Sequence, residues 1–333
     1  MIKDGWKKKY SLVEFMQSDE TRLLFLLNAE VFHATVEFYK KYGLHYTIVP
    51  STTGAVSSPT EPGSDSSPVT VCIGNYRTNL IDSAQFYLEY ACRLFSEGCY
   101  YIGHSFRYEK PDSRHLAQFW HSEAEITGDL SNVQRLVEEY IRFITNELYH
   151  TFYNQLNEVP DFRERINGLL ARKEPFRKIQ YREAVDYLSS FSDGLTSCDT
   201  GALRITAKGE KRLMEEFGEF TWVERWDKMS VPFYQALDES KELALNADLL
   251  FGVGEVVGAG QRHYSSSSLK SALYEHGLSE REYSWYIAMK ETAPMLTSGF
   301  GMGIERYLMW FLGINDIRDL ELYPRNQYQI GLF

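Results

Sequence analysis

Residues Gly299–Gly313 read GFGMGIERYLMWFLG. Glycine takes every second position at 299, 301 and 303, and an apolar run at helical spacing follows the Glu305-Arg306 pair. Alternate residues of a strand face the same side, so one face of this stretch would carry no side chain. Bare faces of this kind arise where something flat and bulky lies against the backbone. Arg306 would enter the next helix beside that face, and its planar fork suits a phosphate because it donates two hydrogen bonds together. A close-packed strand next to a surface arginine would leave the same pattern. A dinucleotide fingerprint fits poorly, since it belongs early in a βαβ unit with an acid about 20 residues on.

Elsewhere strands and helices do not alternate regularly, which predicts an α+β fold rather than a doubly wound parallel sheet. Residues 20–42 have the period of an amphipathic helix and stop at Gly43. LHYTIVP is a short β-like run to Pro50, and residues 51–68 form a Ser/Thr/Pro/Gly loop too long for a plain connector, a candidate lid. A strand pair is expected over 69–80, a helix over 82–98, strands over 100–109 and 114–128, and a long helix over 131–155. Residues 156–230 mix short helices and loops. A tight strand pair over 245–264 and two helices within 267–291 then lead into the glycine stretch. With no repeat and no linker, the chain divides into an N-terminal extension, 1–19, and one domain, 20–333.

The 333 residues are 44% hydrophobic and 24% charged, ordinary for a globular protein. A net charge of −11 gives a field that opposes a polyanion, and the main basic run is the short Lys7-Lys8-Lys9. Cys72, Cys92, Cys99 and Cys198 show neither CxxC spacing nor a histidine cluster, which argues against zinc and against a disulfide framework. Without a signal-peptide core or an apolar run of membrane-spanning length, the expectation is a cytoplasmic protein with reduced thiols and no membrane partner.

Two further stretches carry chemistry. In FRYEKPDSRHLAQFW, residues 106–120, Arg107 and Glu109 would share one strand face. Such a pair is either a cross-strand ion pair or a nucleotide clamp, with Arg114, His115 and Phe119 following. In DLLFGVGEVVGAGQR, residues 248–262, Asp248 and Glu255 flank a glycine-bearing hairpin and suit Mg²⁺ on a polyphosphate. Gly258-Ala259-Gly260 then permits close approach before Arg262, which could clamp a carboxylate or amide. GVGEVVG has GxGxxG spacing, but acids interrupt it and no helix follows directly.

Together these segments resemble class II aminoacyl-tRNA synthetases of the aspartate/asparagine/lysine branch. FRYE…RHLAQF is similar to their second motif, GFGMGIERYLMWFLG to their third and, more weakly, GLHYTIVP to their first. GEVVGAGQR and SAQFYLE resemble segments of asparaginyl-tRNA synthetase. PFRKIQYREAVDYL and the PFYQALD…NADLL stretch fit the same family. The resemblance implies an antiparallel sheet flanked by helices, a single catalytic domain, ATP bent over the sheet with Mg²⁺, and a homodimer through the first motif. It implies Arg107 on the α-phosphate, Glu109 on the adenine amine, His115 and Arg306 towards the γ-phosphate, Arg114 beside them and Phe119 stacked on adenine. Gly301 and Gly303 would pass beneath the nucleotide, with Arg107 and Arg306 acting in catalysis. Asp248 and Glu255 would hold Mg²⁺, while Gln85, Glu89, His121, Glu123 and Arg262 would line the amino-acid pocket.

The family's anticodon-binding barrel has no counterpart in this sequence, so tRNA is not expected as a partner. The chain resembles truncated paralogues such as the archaeal asparagine synthetase related to asparaginyl-tRNA synthetase, whose SPxTDP loop is similar to SSPTEP at 57–62. The implied activity is an ATP-dependent amide ligase that activates an aspartate-type carboxylate and passes it to ammonia. Alternatives are activation of an Asp or Asn residue in a peptide or other small molecule, with dehydration to a nitrile, a tRNA ligase, or an inactive ATP-binding paralogue. Leu88-Glu89 is the asparaginyl-type choice. His121 stands where aspartyl-type enzymes have Gln, Glu123 where they have Asp, and His263 where asparaginyl enzymes have Glu.

Overall fold

The computed structural model describes residues 16–57, 67–108, 112–159, 161–191, 194–197 and 203–322. Its strands in chain order are β1 His45–Tyr46, β2 Thr52–Thr53, β3 Thr70–Ile73, β4 Tyr76–Leu80, β5 Cys99–Phe106, β6 Gln118–Thr127, β7 Arg177–Gln180, β8 Thr196–Ser197, β9 Arg204–Ile205, β10 Phe220–Glu224, β11 Asn246–Phe251, β12 Glu255–Gln261 and β13 Thr297–Gly303. The helices are α1 Asp19–Lys41, α2 Gln85–Cys92, α3 Leu130–Leu156, α4 Phe162–Leu170, α5 Tyr181–Ser189, α6 Ala207–Phe217, α7 Ser266–Glu275, α8 Ser284–Thr292 and α9 Ile304–Leu312.

One eight-stranded sheet runs β1-β5-β6-β13-β12-β11-β10-β7. Its central pairings, from β5 to β10, are antiparallel, while β1 on β5 and β7 on β10 are parallel edges. The α+β architecture is as expected. The two parallel edges were not legible, because β1 and β7 are two and four residues long and carry almost no period.

One sheet face packs on α1 and α3. Phe38 and Tyr39 from α1 and Val137, Tyr140 and Ile144 from α3 meet Tyr100, Ala124, Val257, Phe300 and Met302 from the strands, all within one buried cluster. Both helices are started by side-chain caps: Ser18 accepts from the Thr21 amide, and Asp129 and Asn132 form a reciprocal capping box. Gly313 closes α9 at φ 69°, a left-handed position that glycine takes without a Cβ penalty.

The glycine stretch is β13 running straight into α9. GVGEVVG is not a phosphate loop: Gly252 at φ 66° and Gly254 at φ 113° make the β11–β12 turn, and β12 follows. The helix expected over 82–98 is shorter, α2. Residues 58–66, half of the 51–68 segment, lie outside the described residues. Its flanks are pinned: Ser57 donates to Asp82 through its amide (3.1 Å) and hydroxyl (2.8 Å), and Ser67 bridges Tyr108. Among the described residues no helix is long and apolar enough to cross a membrane.

Candidate active site

The face opposite α1 and α3 carries the site. Registry places Gly258 opposite Gly301 and Gly260 opposite Gly299, so glycines of two neighbouring strands meet at the middle of the sheet. On the far side of β13, Gly303, Gly301 and Gly299 stand opposite His121, Glu123 and Glu125 of β6. On the far side of β12, Gly258 and Gly260 stand opposite Asp248 and Asn246.

These glycines do two jobs. A β-carbon on Gly299 would fall on the Glu125 carboxylate, and one on Gly260 would fall on the Gln235 amide. This end of the floor is given up to the protein's own side chains. A β-carbon on Gly301 or Gly303 would meet nothing nearer than 3.7 Å and 3.8 Å, and that end remains open. Above Gly258 two carboxylates converge, Glu255 Oε1 at 3.6 Å and Asp248 Oδ1 at 3.7 Å from the same β-carbon position. Two hard oxygens facing one small space fit a divalent cation whose remaining ligands come from phosphate or water.

A cavity of about 280 Å³ covers the floor. Gln85, Arg107, Arg114, His115, Phe119, His121, Arg262, Asp248, Glu255, Gly301, Gly303 and Arg306 all border it. Arg107 follows the end of β5, and its guanidinium lies 5.4 Å from the Phe119 ring centroid. Its Nε is buried without a hydrogen-bond partner, as is the Gln85 side-chain nitrogen, so both present unspent donors. Arg306 donates to the Glu255 carbonyl (2.8 Å) and the Arg114 carbonyl (3.4 Å), which ties α9 to both loops of the site. His115 sits with Nδ1 2.9 Å from Asp112 at the exposed mouth. Glu109 lies outside the described residues.

Two expected pocket residues are corrected. Glu89 does not border the cavity. It is 1% exposed, with Lys290, Arg93 and the Tyr286 hydroxyl around its carboxylate. Lys290 holds it ionised, below the usual carboxylate range, despite the opposing and larger effect of burial. Glu123 also stands behind the wall, where Oε2 accepts from the Ser83 hydroxyl (2.9 Å) and the Ala84 amide (2.7 Å) at the start of α2. The Glu89 carboxylate is taken up by the protein's own donors, while Glu123 keeps Oε1 buried without a hydrogen bond, 2.6 Å from His121 Nδ1; neither residue borders the cavity.

Three residues that sequence patterns did not flag are prominent. Glu125 grips Arg262 through Nε (3.1 and 3.2 Å) and Nη2 (3.0 Å). Burial pushes the Glu125 carboxyl up, to about 7, against the pull of Arg262. Alternation along HSEAE could have put Glu125 on the face of His121 and Glu123, but not its pairing with Arg262. Glu210, from α6, holds Arg114 at 2.6 Å. Lys290 comes from α8. Neither Glu210 nor Lys290 lies in a recognisable motif.

Residues 4–327 match the family model described as tRNA synthetases class II (D, K and N). The chain belongs to this family. An asparagine–tRNA ligase of Pyrococcus furiosus is 33% identical over 252 residues, covering 74% of this chain and 56% of the relative. That of Thermoplasma acidophilum is 30% identical over 320 residues, 93% of this chain and 71% of the relative. The chain thus spans little more than half the length of several of these relatives. Among solved structures, asparaginyl-tRNA synthetase from Pyrococcus horikoshii complexed with asparaginyl-adenylate superposes with a TM-score of 0.86 at 25% identity, covering 98% of this chain and 75% of that one. The asparaginyl enzyme of Entamoeba histolytica gives 0.80 at 23%, covering 96% and 71%, which bears on the fold alone. The expectation that tRNA is no partner is overturned by these relatives, which are tRNA ligases. Net charge sums the whole surface and has no power over what one face binds.

Proposed function

We propose that this chain activates asparagine with ATP, forming asparaginyl-AMP and pyrophosphate, and passes the asparaginyl group to the 3′-terminal ribose of a tRNA. The observation that carries this is the bare glycine floor, with arginines at one end and two converging acids beside it. It accommodates a flat nucleoside and a polyphosphate, and the relatives are ligases of this kind.

Arg107 would neutralise the α-phosphate as the carboxylate attacks it, and Phe119 would cover the base. Arg306, Arg114 and His115 would face the departing pyrophosphate. Asp248 and Glu255 would hold Mg²⁺, which supplies further neutralisation when bound. The step needs in-line placement and charge compensation rather than a proton transfer. Asparagine is favoured over aspartate by the Glu125–Arg262 pair. A neutral amide can accept from the guanidinium and donate to Glu125, whereas an aspartate carboxylate would bring a second anionic group beside a buried Glu125 that already resists ionisation.

A homodimer is part of this proposal. Phe25, Phe32 and Leu26 on α1, with Tyr46 and Ile48 at the β1 edge, leave an exposed apolar margin. A monomer by sedimentation at micromolar concentration would remove that part.

The test is ATP–pyrophosphate exchange with asparagine and with aspartate, followed by tRNA charging. Asparagine-dependent exchange is expected. Exchange with aspartate alone, and asparagine made from aspartate and ammonium, would replace this function by an amide ligase. No exchange with either would reject adenylation of a free amino acid.

A further inference from the structure

Forming an acyl adenylate moves no proton, yet the floor carries an acid–imidazole pair. His121 Nδ1 lies 2.6 Å from Glu123 Oε1 and 3.0 Å from the Ser105 hydroxyl. Glu123 Oε1 is buried and makes no hydrogen bond, so an anionic oxygen 2.6 Å from Nδ1 opposes a bare lone pair there; the proton sits on Nδ1, directed at the Ser105 hydroxyl, and Nε2 keeps its lone pair. Nε2 lies 3.7 Å from the β-carbon position of Gly301, over the open end of the floor, and the ring borders the cavity. The pair is held from behind, since Glu123 Oε2 is bound to Ser83 and Ala84. Phe119 meets the imidazole edge-on, with ring centroids 4.7 Å apart. The Arg107 guanidinium stacks on the same Phe119 ring, which places the imidazole close to where the α-phosphate is proposed to sit.

Resting on the adenylation reading above, we infer that His121 is the general base of the transfer half-reaction and that its acceptor is a hydroxyl. The acceptor oxygen attacks the acyl carbon while its proton passes to Nε2. The bond between the acyl carbon and the phosphate oxygen breaks, and AMP leaves with that electron pair. Glu123 balances the imidazolium so formed, as a buried carboxylate does for a catalytic histidine. The polar and ionisable groups near the ring are Glu123 from its own strand and Ser105 and Tyr101 from β5, the last opposite Glu123, with Arg107, beyond the end of β5, on the Phe119 ring that meets the imidazole. Ser83, just before α2, and Gln85, at its start, border the same cavity, and β13 brings Gly301 and Gly303 beside the ring.

The experiment separates the two half-reactions in the full chain. Pyrophosphate exchange with asparagine reads the first. Single-turnover transfer from preformed enzyme-bound asparaginyl-AMP to an asparagine-tRNA transcript reads the second. In His121→Gln, transfer is expected to slow on the order of a hundredfold or more, with exchange falling less than about tenfold. Wild-type transfer is expected to slow on acidification with the slope of one proton, and the variant should lack that limb. Glu123→Gln, which no longer fixes the tautomer, should reproduce the selective loss. Equal loss of both half-reactions, an unchanged transfer rate, or a pH limb that persists in His121→Gln overturns the inference. So does wild-type enzyme that exchanges pyrophosphate but transfers to no tRNA hydroxyl, a result that leaves adenylation standing. Absence of wild-type exchange rejects the adenylation reading itself.

Discussion

Arg306 illustrates what a single residue carries. Its guanidinium is partly exposed, donates to two main-chain carbonyls and makes a long ion pair, 3.7 Å, with the Glu255 carboxylate. Arg306→Ala should therefore leave the thermal melt nearly unchanged while pyrophosphate exchange falls by at least about a hundredfold. Exchange within a few-fold of wild type would remove Arg306 from the phosphate site. His263 makes the opposite kind of prediction, one of stability. It is 3% exposed, donates from Nε2 to the Phe233 carbonyl (3.0 Å), and burial lowers its pKa to about 4. Lys290, Glu89 and His276 are the ionisable groups around it. The unfolded chain would bind this proton at about pH 6.5 and the folded chain only near 4, so stability is full above that window and falls as the pH drops through it. The loss amounts to about 3 kcal/mol by pH 4. Urea titrations of His263→Asn should show a flatter pH profile than wild type between pH 6.5 and 4; parallel profiles would contradict the assignment.

At the scale of elements, β13 shows that one periodic pattern can answer two needs. Its alternate glycines predict a bare face from sequence, but the neighbouring strands decide which glycine serves which purpose. Gly301→Ala has room for its methyl and should fold, with a melting temperature within a few degrees of wild type and weaker ATP binding by calorimetry. Gly299→Ala drives a β-carbon into the Glu125 carboxylate and the Ala124 carbonyl, so it should destabilise the fold by about 1–3 kcal/mol. If the two variants melted alike, the division of the floor would be wrong. The α6 and α8 helices matter for a different reason. Each delivers one charged side chain, Glu210 to Arg114 and Lys290 to Glu89, and contributes no recognisable motif.

At the scale of the molecule, the site is backed by buried charge. Glu89 and Lys290 are each 1% exposed, and Arg262 and Glu125 form a second buried pair in the same layer. Removing Lys290 leaves the buried Glu89 carboxylate with Arg93 and the Tyr286 hydroxyl alone. Lys290→Met should lower stability by about 3–5 kcal/mol in urea unfolding, and adding Glu89→Gln should recover much of it. If the double variant were as unstable as the single one, the pair would not be the unit that matters.

The order of secondary elements was legible because long helices and central strands have strong periods, 3.6 and 2, set by local geometry. The sequence by itself also singled out candidates for a nucleotide site. Glycine alternation and the positions of Arg107, Arg306, Asp248 and Glu255 relative to strand ends are local facts, and registry gathered them around one cavity. Only the tertiary structure decided the amino-acid end. There Glu89 and Glu123 were withdrawn behind the wall by Lys290, Ser83 and Ala84, and Glu125 took Arg262. Whether a buried carboxylate faces a ligand or a lysine depends on which distant element supplies the counter-charge. Desolvation makes pairing obligatory but does not choose the partner.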